Sequence, residues 1–308
     1  MRANRIVSLL PGGTEIVCAL GCAAQLKGRS HQCDFPPEIR ALPVCASSRL
    51  PREASIAEMD REACSLRQFG LPHCVIDAER LRQIRPDLIL TEGPGGLRGA
   101  TQSDVEQALA RVRSAGFHPK IISLSPVRMA DLWQDIQTVA DAIGVAERGR
   151  DLLLALKGRV VDVIQRTCLI KRRPAVVCLG WLDPLMAAGH WVPEMVDFAG
   201  GRNLFGQAGQ PSTRLEWELL CQSDPDIIVL MPCGFDLARI RREAAELVER
   251  PEWRNLRAVK TGKVFLADAN SYFSRPGPRL VDSLEILAEI VQPLLFRPSH
   301  NGNGWQKL

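Results

Sequence analysis

The chain has 308 residues, of which 46% are hydrophobic and 24% charged, and a formal net charge of +4. These are ordinary globular values, and the length is sufficient for two domain cores. The small, scattered charge argues against a nucleic-acid partner, and no segment approaches the ~20 apolar residues of a membrane span. We interpret the ten cysteines as reduced, partly buried thiols because no export signal is evident in the sequence. They include no CxxC pair, which argues against a zinc ribbon or a thioredoxin-type site.

Strand and helix signals alternate through the first half of the chain. A strand is predicted over 6–10, and a helix follows the turn Pro11-Gly12-Gly13-Thr14, with Thr14 as its N-cap. The next predicted elements are a helix over 77–85, a strand over 87–90, a helix over 102–115 and a strand over 120–124. This alternation is typical of an α/β layer with mainly parallel strands.

The pattern changes between residues 129 and 166, where apolar residues recur at helical spacing without a proline. One helix of this length would be about 50 Å long, enough to connect two lobes. Gly144, Gly149 and Gly158 weaken the case for an unbroken helix and allow a kink.

The α/β alternation resumes after Pro174. Strands are predicted over 175–179, 226–230 and 263–267, and helices over 192–199, 215–222, 236–248 and 279–291. In each half a glutamate, Glu79 or Glu218, lies seven residues ahead of a Pro-Asp pair that opens a strand. The predicted fold class is therefore α/β, with two Rossmann-like lobes joined by one long helix and a ligand cleft between them.

The predicted domain limits follow from this organisation. They are an N-terminal lobe over 1–128, a bridging helix over 129–166, a C-terminal lobe over 167–298 and a loose tail over 299–308.

Four features together resemble the substrate-binding proteins of iron-siderophore, haem and cobalamin uptake systems. They are the segment 5–21, the paired Glu…Pro-Asp units, the long helix and the segment 272–282. The resemblance covers roughly residues 5–297 and is nearest to the cobalamin-binding branch. It implies a monomeric, non-catalytic protein that needs no cofactor and holds a corrinoid, haem or other metal chelate between lobes that flex little.

The same resemblance implies that Glu79 and Glu218 dock onto an ABC permease if the protein is exported. The alternative is that both are surface carboxylates that stabilise a helix N-terminus. No signal peptide precedes the strand at 6–10, so we expect a cytoplasmic protein, or a periplasmic one if translation starts upstream.

The cleft of such a fold is lined by loops at the carboxyl ends of its strands. The predicted ligand contacts on these loops are Pro11, Gly12, Gly13, Thr14, His31, Cys33, Trp181, His190, Trp191, Cys233, Phe235, Tyr272 and Arg275. The aromatic side chains offer flat apolar faces to a macrocycle, unless they belong to the core. The Gly-Gly turn could present backbone N–H groups to an anion. Arg275 and Arg279 suit ligand carboxylates or a phosphate, unless Arg275 ties its loop to the last helix.

A metal site is a separate hypothesis. His31, Cys33 and Cys233, with Asp34 nearby, are ligand types for a soft or borderline metal, and a histidine could be an axial ligand of iron or cobalt. The alternative is that His31 and His190 bind loop backbone and that the thiols are packed. The loop over 91–100, which should face the cleft, carries Arg98, glycines and a proline but no cysteine, which argues against a multi-cysteine centre.

Three functions remain open at this point: a chelate-binding protein, a cytosolic metal-handling protein that uses the His and Cys ligands, and an enzyme on the same scaffold. The enzyme has the least support because no Gly-x-Ser-x-Gly or His-Glu-x-x-His motif is present. Glu15 is the one carboxylate that we would test as a base, although it more simply stabilises a helix dipole.

Overall fold

The N-terminal half of the chain forms a six-stranded sheet in a computed structural model that describes residues 3–50, 54–93, 99–112 and 117–308. Its strands are β1 (Ile6–Ser8), β2 (Leu26–Ser30), β3 (Val44–Ser48), β4 (Cys74–Ile76), β5 (Leu88–Glu92) and β6 (Lys120–Leu124). Their spatial order is β4-β3-β2-β1-β5-β6. All neighbours pair in parallel except β3 and β4, so the carboxyl ends of the parallel strands meet at one edge.

Four helices connect these strands. They are α1 (Pro11–Ala19), α2 (Ile56–Gln68), α3 (Ala78–Ile84) and α4 (Gln102–Ala110). Asp77 caps α3 by accepting a hydrogen bond from the Arg80 N–H, and Thr101 forms a capping box with Asp104 on α4. The prediction that Thr14 caps α1 is wrong, because the helix already begins at Pro11, which suits the first position of a helix.

The segment that was predicted as one bridging helix forms two helices, α5 (Met129–Ala142) and α6 (Ala146–Thr167). The break falls at Gly144, whose φ of 76° lies in the left-handed region. The bridge between the two sheets is therefore α6 alone, about 33 Å long at 1.5 Å per residue. Near its start Arg148 donates to the Leu20 carbonyl after α1, and at its end Thr167 donates to the Phe198 carbonyl in the C-terminal half.

The C-terminal half forms a seven-stranded sheet. Its strands are β7 (Ala175–Leu182), β8 (Leu185–Ala187), β9 (Arg202–Asn203), β10 (Thr213–Arg214), β11 (Ile227–Leu230), β12 (Val264–Ala267) and β13 (Trp305–Lys307). The main path is β10-β8-β7-β11-β12-β13, with β9 paired to β7. The accompanying helices are α7 (Val192–Phe198), α8 (Trp217–Ser223), α9 (Leu237–Glu243), α10 (Ala245–Val248), α11 (Arg257–Lys260) and α12 (Leu280–Val291).

The predicted loose tail is wrong. Strand β13 pairs antiparallel with β12, and the Trp305 side chain is buried. The reason is Glu289 of α12, a buried carboxylate that accepts hydrogen bonds from the Trp305 indole, from Ser299 and from His300. A buried carboxylate needs such donors, so α12 fixes the tail in place.

The main core lies where α1, α5, α6, α7 and α12 pack together between the two sheets. Helix α12 is its centre, with ten of its twelve residues buried. Two smaller apolar clusters cover the other faces of the sheets. None of the helices in the described part of the chain is long and apolar enough to cross a membrane.

Candidate functional site

Two carboxylates from the N-terminal lobe meet two arginines from the C-terminal lobe. We call this group, Glu15, Asp34, Arg275 and Arg279, the interlobe seam. Arg279 forms a bidentate pair with Glu15, with its Nε 3.0 Å and its Nη2 2.6 Å from the two carboxylate oxygens. Arg275 pairs with Asp34 through both terminal nitrogens, one of them 3.2 Å from Asp34 Oδ2. The seam fixes the two lobes against each other beside the cleft.

The seam is largely removed from water. The side chains of Glu15 and Arg275 are 3% and 5% exposed, and Arg275 also donates to the backbone and side-chain oxygens of Asn270. Burial raises the pKa of Glu15, and the hydrogen bond and charge of Arg279 oppose that rise. The charges of the two carboxylates and the two guanidiniums of the seam sum to zero. Both guanidiniums are thus already paired, and Glu15 is an ion-pair partner rather than a base.

The start of α1 is covered rather than open. A Cβ built on Gly12 would lie 2.1 Å from the Pro276 carbonyl oxygen, so the two backbones touch. Gly12, Gly13 and Thr14 are all buried, and Pro11 keeps partial exposure. The predicted anion site at this Gly-Gly turn is wrong in this structure, because the opposite lobe occupies the space in front of the helix N-terminus.

The predicted aromatic contacts divide into two kinds. Phe235 is 1% exposed and Trp191 is 7% exposed, with the Trp191 indole donating to the Phe273 carbonyl at 3.1 Å. Trp181 and Tyr272 are only half-buried. The Trp181 ring lies 5.6 Å from the Phe235 ring, and its buried Nε1–H has no acceptor among the described residues. Trp191 and Phe235 therefore belong to the core as the structure stands.

Hydrogen bonds join the predicted cleft loops of the C-terminal lobe. The Gly234 N–H donates to Ser274 Oγ at 3.1 Å, and the Asn270 N–H donates to the Phe235 carbonyl at 3.0 Å. The seam then attaches the loop of Asp34 to the same group. The predicted contacts that keep part of their surface exposed are Pro11, His31, Trp181, His190, Cys233 and Tyr272.

The predicted metal set is not assembled. His31 Nδ1 lies 3.2 Å from the Ala46 carbonyl, and the buried Cys33 thiol lies 3.2 Å from Ser30 Oγ. Burial raises the pKa of Cys33, which disfavours the thiolate that a metal requires. Within the described ranges the one group with metal-ligand spacing is Asp282, Glu285 and His300, and none of His31, Cys33 and Cys233 belongs to it.

That acidic group already has a cation. Arg159 of the bridging helix donates to Asp282 and to both carboxylate oxygens of Glu285. His300 in turn contacts Glu289, with 2.8 Å between Nδ1 and Oε1. This arrangement ties α6 and the tail to α12, so its role is structural.

The two predicted docking glutamates lie in the first turns of α3 and α8. Both are exposed, and Glu79 pairs with Arg82, whose hydrogen bond lowers the pKa of the carboxylate. Their docking role stays a prediction. Arg98 and the centre of its loop, 94–98, lie outside the described residues, as do 113–116 at the predicted end of α4.

Helix α2 and its contact with Arg239 were not predicted from the sequence. Helix α2 connects β3 to β4 in the N-terminal lobe, yet Ile56 at its start is 3% exposed within the apolar cluster of the C-terminal sheet. Arg239 of α9 lies 3.8 Å above the centre of the Phe235 ring and donates to the Ala54 carbonyl. The apolar spacing of Ile56, Met59, Ala63 and Leu66 could have indicated the helix, but nothing local indicates that Ile56 or Arg239 contacts the other lobe.

The described surface has two hollows that are lined by residues other than the predicted ligand contacts. One is lined by Ala54, Glu58, Arg61, Glu62 and Ser65. The other is lined by Gly70, Leu71, Pro72, His73, Gly99, Thr101, Ser103, Asp104 and Gln107.

Two α/β lobes, a bridging helix and loops that converge between the lobes define a two-lobed ligand-binding protein. The family described as periplasmic binding protein matches this chain over residues 6–271. The chain therefore belongs to the periplasmic binding protein family. This confirms the predicted family and the predicted α/β two-lobed fold.

Individual relatives are similar over nearly the whole chain. The vitamin B12-binding protein of Photorhabdus laumondii is 24% identical over 286 residues, 92% of this chain and 86% of that protein. An uncharacterized ABC transporter substrate-binding lipoprotein of Bacillus subtilis is 22% identical, covering 96% of this chain and 82% of its own length. The solved apo structure of a periplasmic haem-binding protein from Roseiflexus has a TM-score of 0.68 at 22% identity, covering 94% and 98% of the two chains. That structural likeness shows the fold.

Proposed function

We propose that the protein is a non-catalytic binding protein for a corrinoid, haem or related metal chelate. The observation that carries the proposal is the set of predicted ligand contacts that stay partly exposed, His31, Trp181, His190, Cys233 and Tyr272. Imidazoles and flat aromatic faces are the groups that a planar metal macrocycle would meet. The relatives named for vitamin B12 and haem binding support the same ligand class.

The direct test is titration of the full-length protein with cyanocobalamin, aquocobalamin and hemin, followed by visible spectroscopy and calorimetry. We expect saturable binding of at least one probe, with a shifted visible spectrum when an imidazole ligates the metal. His31→Ala should weaken or alter that spectrum. His118→Ala is the matched control, because His118 is exposed on the loop before β6.

Two outcomes would count against the proposal. Absence of heat and of any spectral change with all three probes and with ferric siderophores would exclude the chelate class. An equal effect of His31→Ala and His118→Ala would remove His31 from the site while leaving chelate binding itself intact.

For an exported form of the protein, we further propose docking to an ABC permease through Glu79 and Glu218, which lie in the first turns of α3 and α8 and are both exposed. The relative named as an ABC transporter substrate-binding lipoprotein supports such a partner. Glu79→Ala combined with Glu218→Ala should abolish co-purification with a permease from the host, whereas Glu106→Ala should not. Equal co-purification of all variants would disprove the docking role.

The compartment is a separate proposal. All ten cysteines are free, and Cys64 and Cys168 are exposed, which suits a reducing compartment such as the cytoplasm. Fractionation of host cells, with the mass of the mature N-terminus, would test this. Recovery in an exported fraction would overturn it.

A further inference from the structure

Helix α2 belongs to one lobe by sequence and contacts the other. It leaves the N-terminal sheet after β3 and returns at β4, but Ile56 packs in the apolar cluster that contains Val177 and Phe235. Met59, one turn further on, borders the same cluster. We call residues 54–68 the strap, because they cross from the edge of one sheet to the other lobe.

Arg239 makes most of the polar contact between the strap and the C-terminal lobe. Its guanidinium lies on the Phe235 ring, donates to the Ala54 carbonyl and lies 3.5 Å from the Met59 sulfur. Glu243, one turn later on α9, is 3.5 Å from Arg239 and accepts from the Ile56 N–H, also at 3.5 Å. Arg239 therefore connects the strap to the Phe235 ring.

The strap is weakly held everywhere else. Among the described side chains of α2, Ile56 and Leu66 are the buried ones, and the rest are partly or fully exposed. Helices gain most of their stability in proteins from packing of an apolar face, so a helix with so little burial opens at low cost.

The surface under the strap is one that ligands favour. Phe235 is covered on one face by Arg239 and contacts Trp181, whose buried indole N–H has no acceptor in the described structure. Ile56 and Met59 of the strap pack in or against the apolar cluster that both rings join. Opening would withdraw these two side chains and leave the Trp181–Phe235 pair more accessible, while Arg239 could stay on the Phe235 ring.

We propose that the strap is a releasable cover of the Trp181–Phe235 face, held by Arg239, and that ligand reaches this face only after the strap opens. The nature of the ligand, a flat apolar chelate, rests on the proposed function. The opening of the strap does not, because it is a property of the chain without ligand.

Hydrogen–deuterium exchange of the ligand-free full-length protein tests the opening. Arg239→Ala should raise amide exchange in peptides covering Ile56–Gln68 by about tenfold or more, because it removes a charge-assisted hydrogen bond and a cation–π contact. Peptides from α12 should not change. Arg242→Ala, an exposed arginine on the same helix, is the matched control.

Ile56→Ala gives a second route that leaves α9 intact, and it should produce the same local increase. Unchanged exchange of the strap in both variants would overturn the proposal. An equal increase in α12 would also overturn it, because the strap would then open only when the whole protein unfolds.

Stopped-flow mixing with cyanocobalamin and hemin tests the access step. With a probe that binds the unaltered protein, Arg239→Ala should raise the association rate about tenfold, in proportion to the open population. Equal rates would disprove control of access by the strap. If neither of these probes binds, the other chelates named under the proposed function take their place, and failure of all of them overturns the proposed function and the access step together, while the exchange experiment still decides whether the strap opens.

Discussion

The interlobe seam and the strap both join the two lobes, but they do so with opposite chemistry. The seam joins paired charges, of which Glu15, Arg275 and Arg279 are almost wholly buried, and the Gly12 and Pro276 backbones touch beside it. The strap is joined by Arg239 and Glu243 and by the packing of Ile56 and Met59, on a helix that is mostly exposed. The comparison indicates that one border of the cleft is fixed while the other can open.

The physical difference lies in what each contact leaves behind when it is broken. Separation of the seam would leave carboxylates and guanidiniums unpaired in a dry environment, which is costly. Release of the strap returns polar side chains to water and exposes little apolar surface. A ligand cleft with one fixed and one releasable border can open without loss of the relative position of the lobes.

Removal of Arg279 should have the largest effect. Arg279→Ala leaves the buried Glu15 carboxylate without its bidentate partner, and we expect a loss of about 3–5 kcal/mol in the free energy of unfolding. Urea unfolding followed by circular dichroism measures it. Glu15→Gln combined with Arg279→Met should recover much of the loss, since neither charge is then stranded. A single-variant loss below about 1 kcal/mol, the value of an exposed pair, would show that the seam is solvated.

Gly12→Ala tests the backbone contact at the seam. The added methyl would meet the Pro276 carbonyl oxygen, so the lobes must move apart locally, and we expect a loss of about 1–3 kcal/mol. Gly158→Ala on α6 is the matched control, because nothing lies within 4 Å of that position. It should gain about 0.5–1 kcal/mol from helix propensity. Equal effects of the two substitutions would mean that the lobes do not touch at Gly12.

The Asp135 carboxyl on α5 contrasts with the carboxylates of the seam, because it is unpaired in the described structure. Its Oδ2 is buried and has no hydrogen-bond partner among the described residues, and burial, with a smaller contribution from Asp131, raises its pKa from 3.8 to about 7. Between these values the folded state holds a proton that the unfolded chain has lost, so stability falls as the pH rises through this window.

Asp135→Asn should remove that dependence on pH. The variant should gain stability over the unaltered protein as the pH rises from 4 to 7, with no further gain above 7. Urea midpoints at pH 4.5 and pH 8 measure it, with the exposed Asp151→Asn as control. A difference that is constant across pH would show that Asp135 is ionised in the fold.

The sequence predicts the central strands well and the borders of the cleft poorly. Strands β5 and β11 are continuous apolar runs after a Pro-Asp pair, and both were found. Strands β2 and β3, with sequences LKGRS and VCASS, are short and mixed in polarity, so local periodicity has little to act on there. Helix α2 is mostly polar but does carry apolar residues at helical spacing, Ile56, Met59, Ala63 and Leu66, and it was still not predicted.

The limited reach of local sequence patterns also explains which features of the candidate site were not predicted. Residue types selected His31, Trp181 and Tyr272, all of which keep part of their surface exposed, although Trp181 lies in β7 and Tyr272 in a short helical turn rather than in loops. The pairing of Glu15 with Arg279 spans 264 residues, and each residue alone has a plausible local role. Which charges neutralise each other is decided by how the lobes meet, and no spacing rule contains that information.

Ile56→Ala should show the smallest loss in the free energy of unfolding, because Ile56 packs in a strap that can detach and not in a fixed core. Truncation of a buried isoleucine in a fixed core lowers the free energy of unfolding by about 2–5 kcal/mol, and Ile89→Ala in β5 should show that full loss. The strap can detach, so the loss in Ile56→Ala cannot exceed the free energy of opening, and we expect less than about 2 kcal/mol.

Adding Arg239→Ala to Ile56→Ala should then cost less than the sum of the two single losses, because a strap that is already open cannot be released twice. Urea unfolding of the two single variants and the double variant measures this. Strict additivity, with Ile56→Ala as costly as Ile89→Ala, would place the strap in the same cooperative unit as the core. The cleft would then have two fixed borders instead of one.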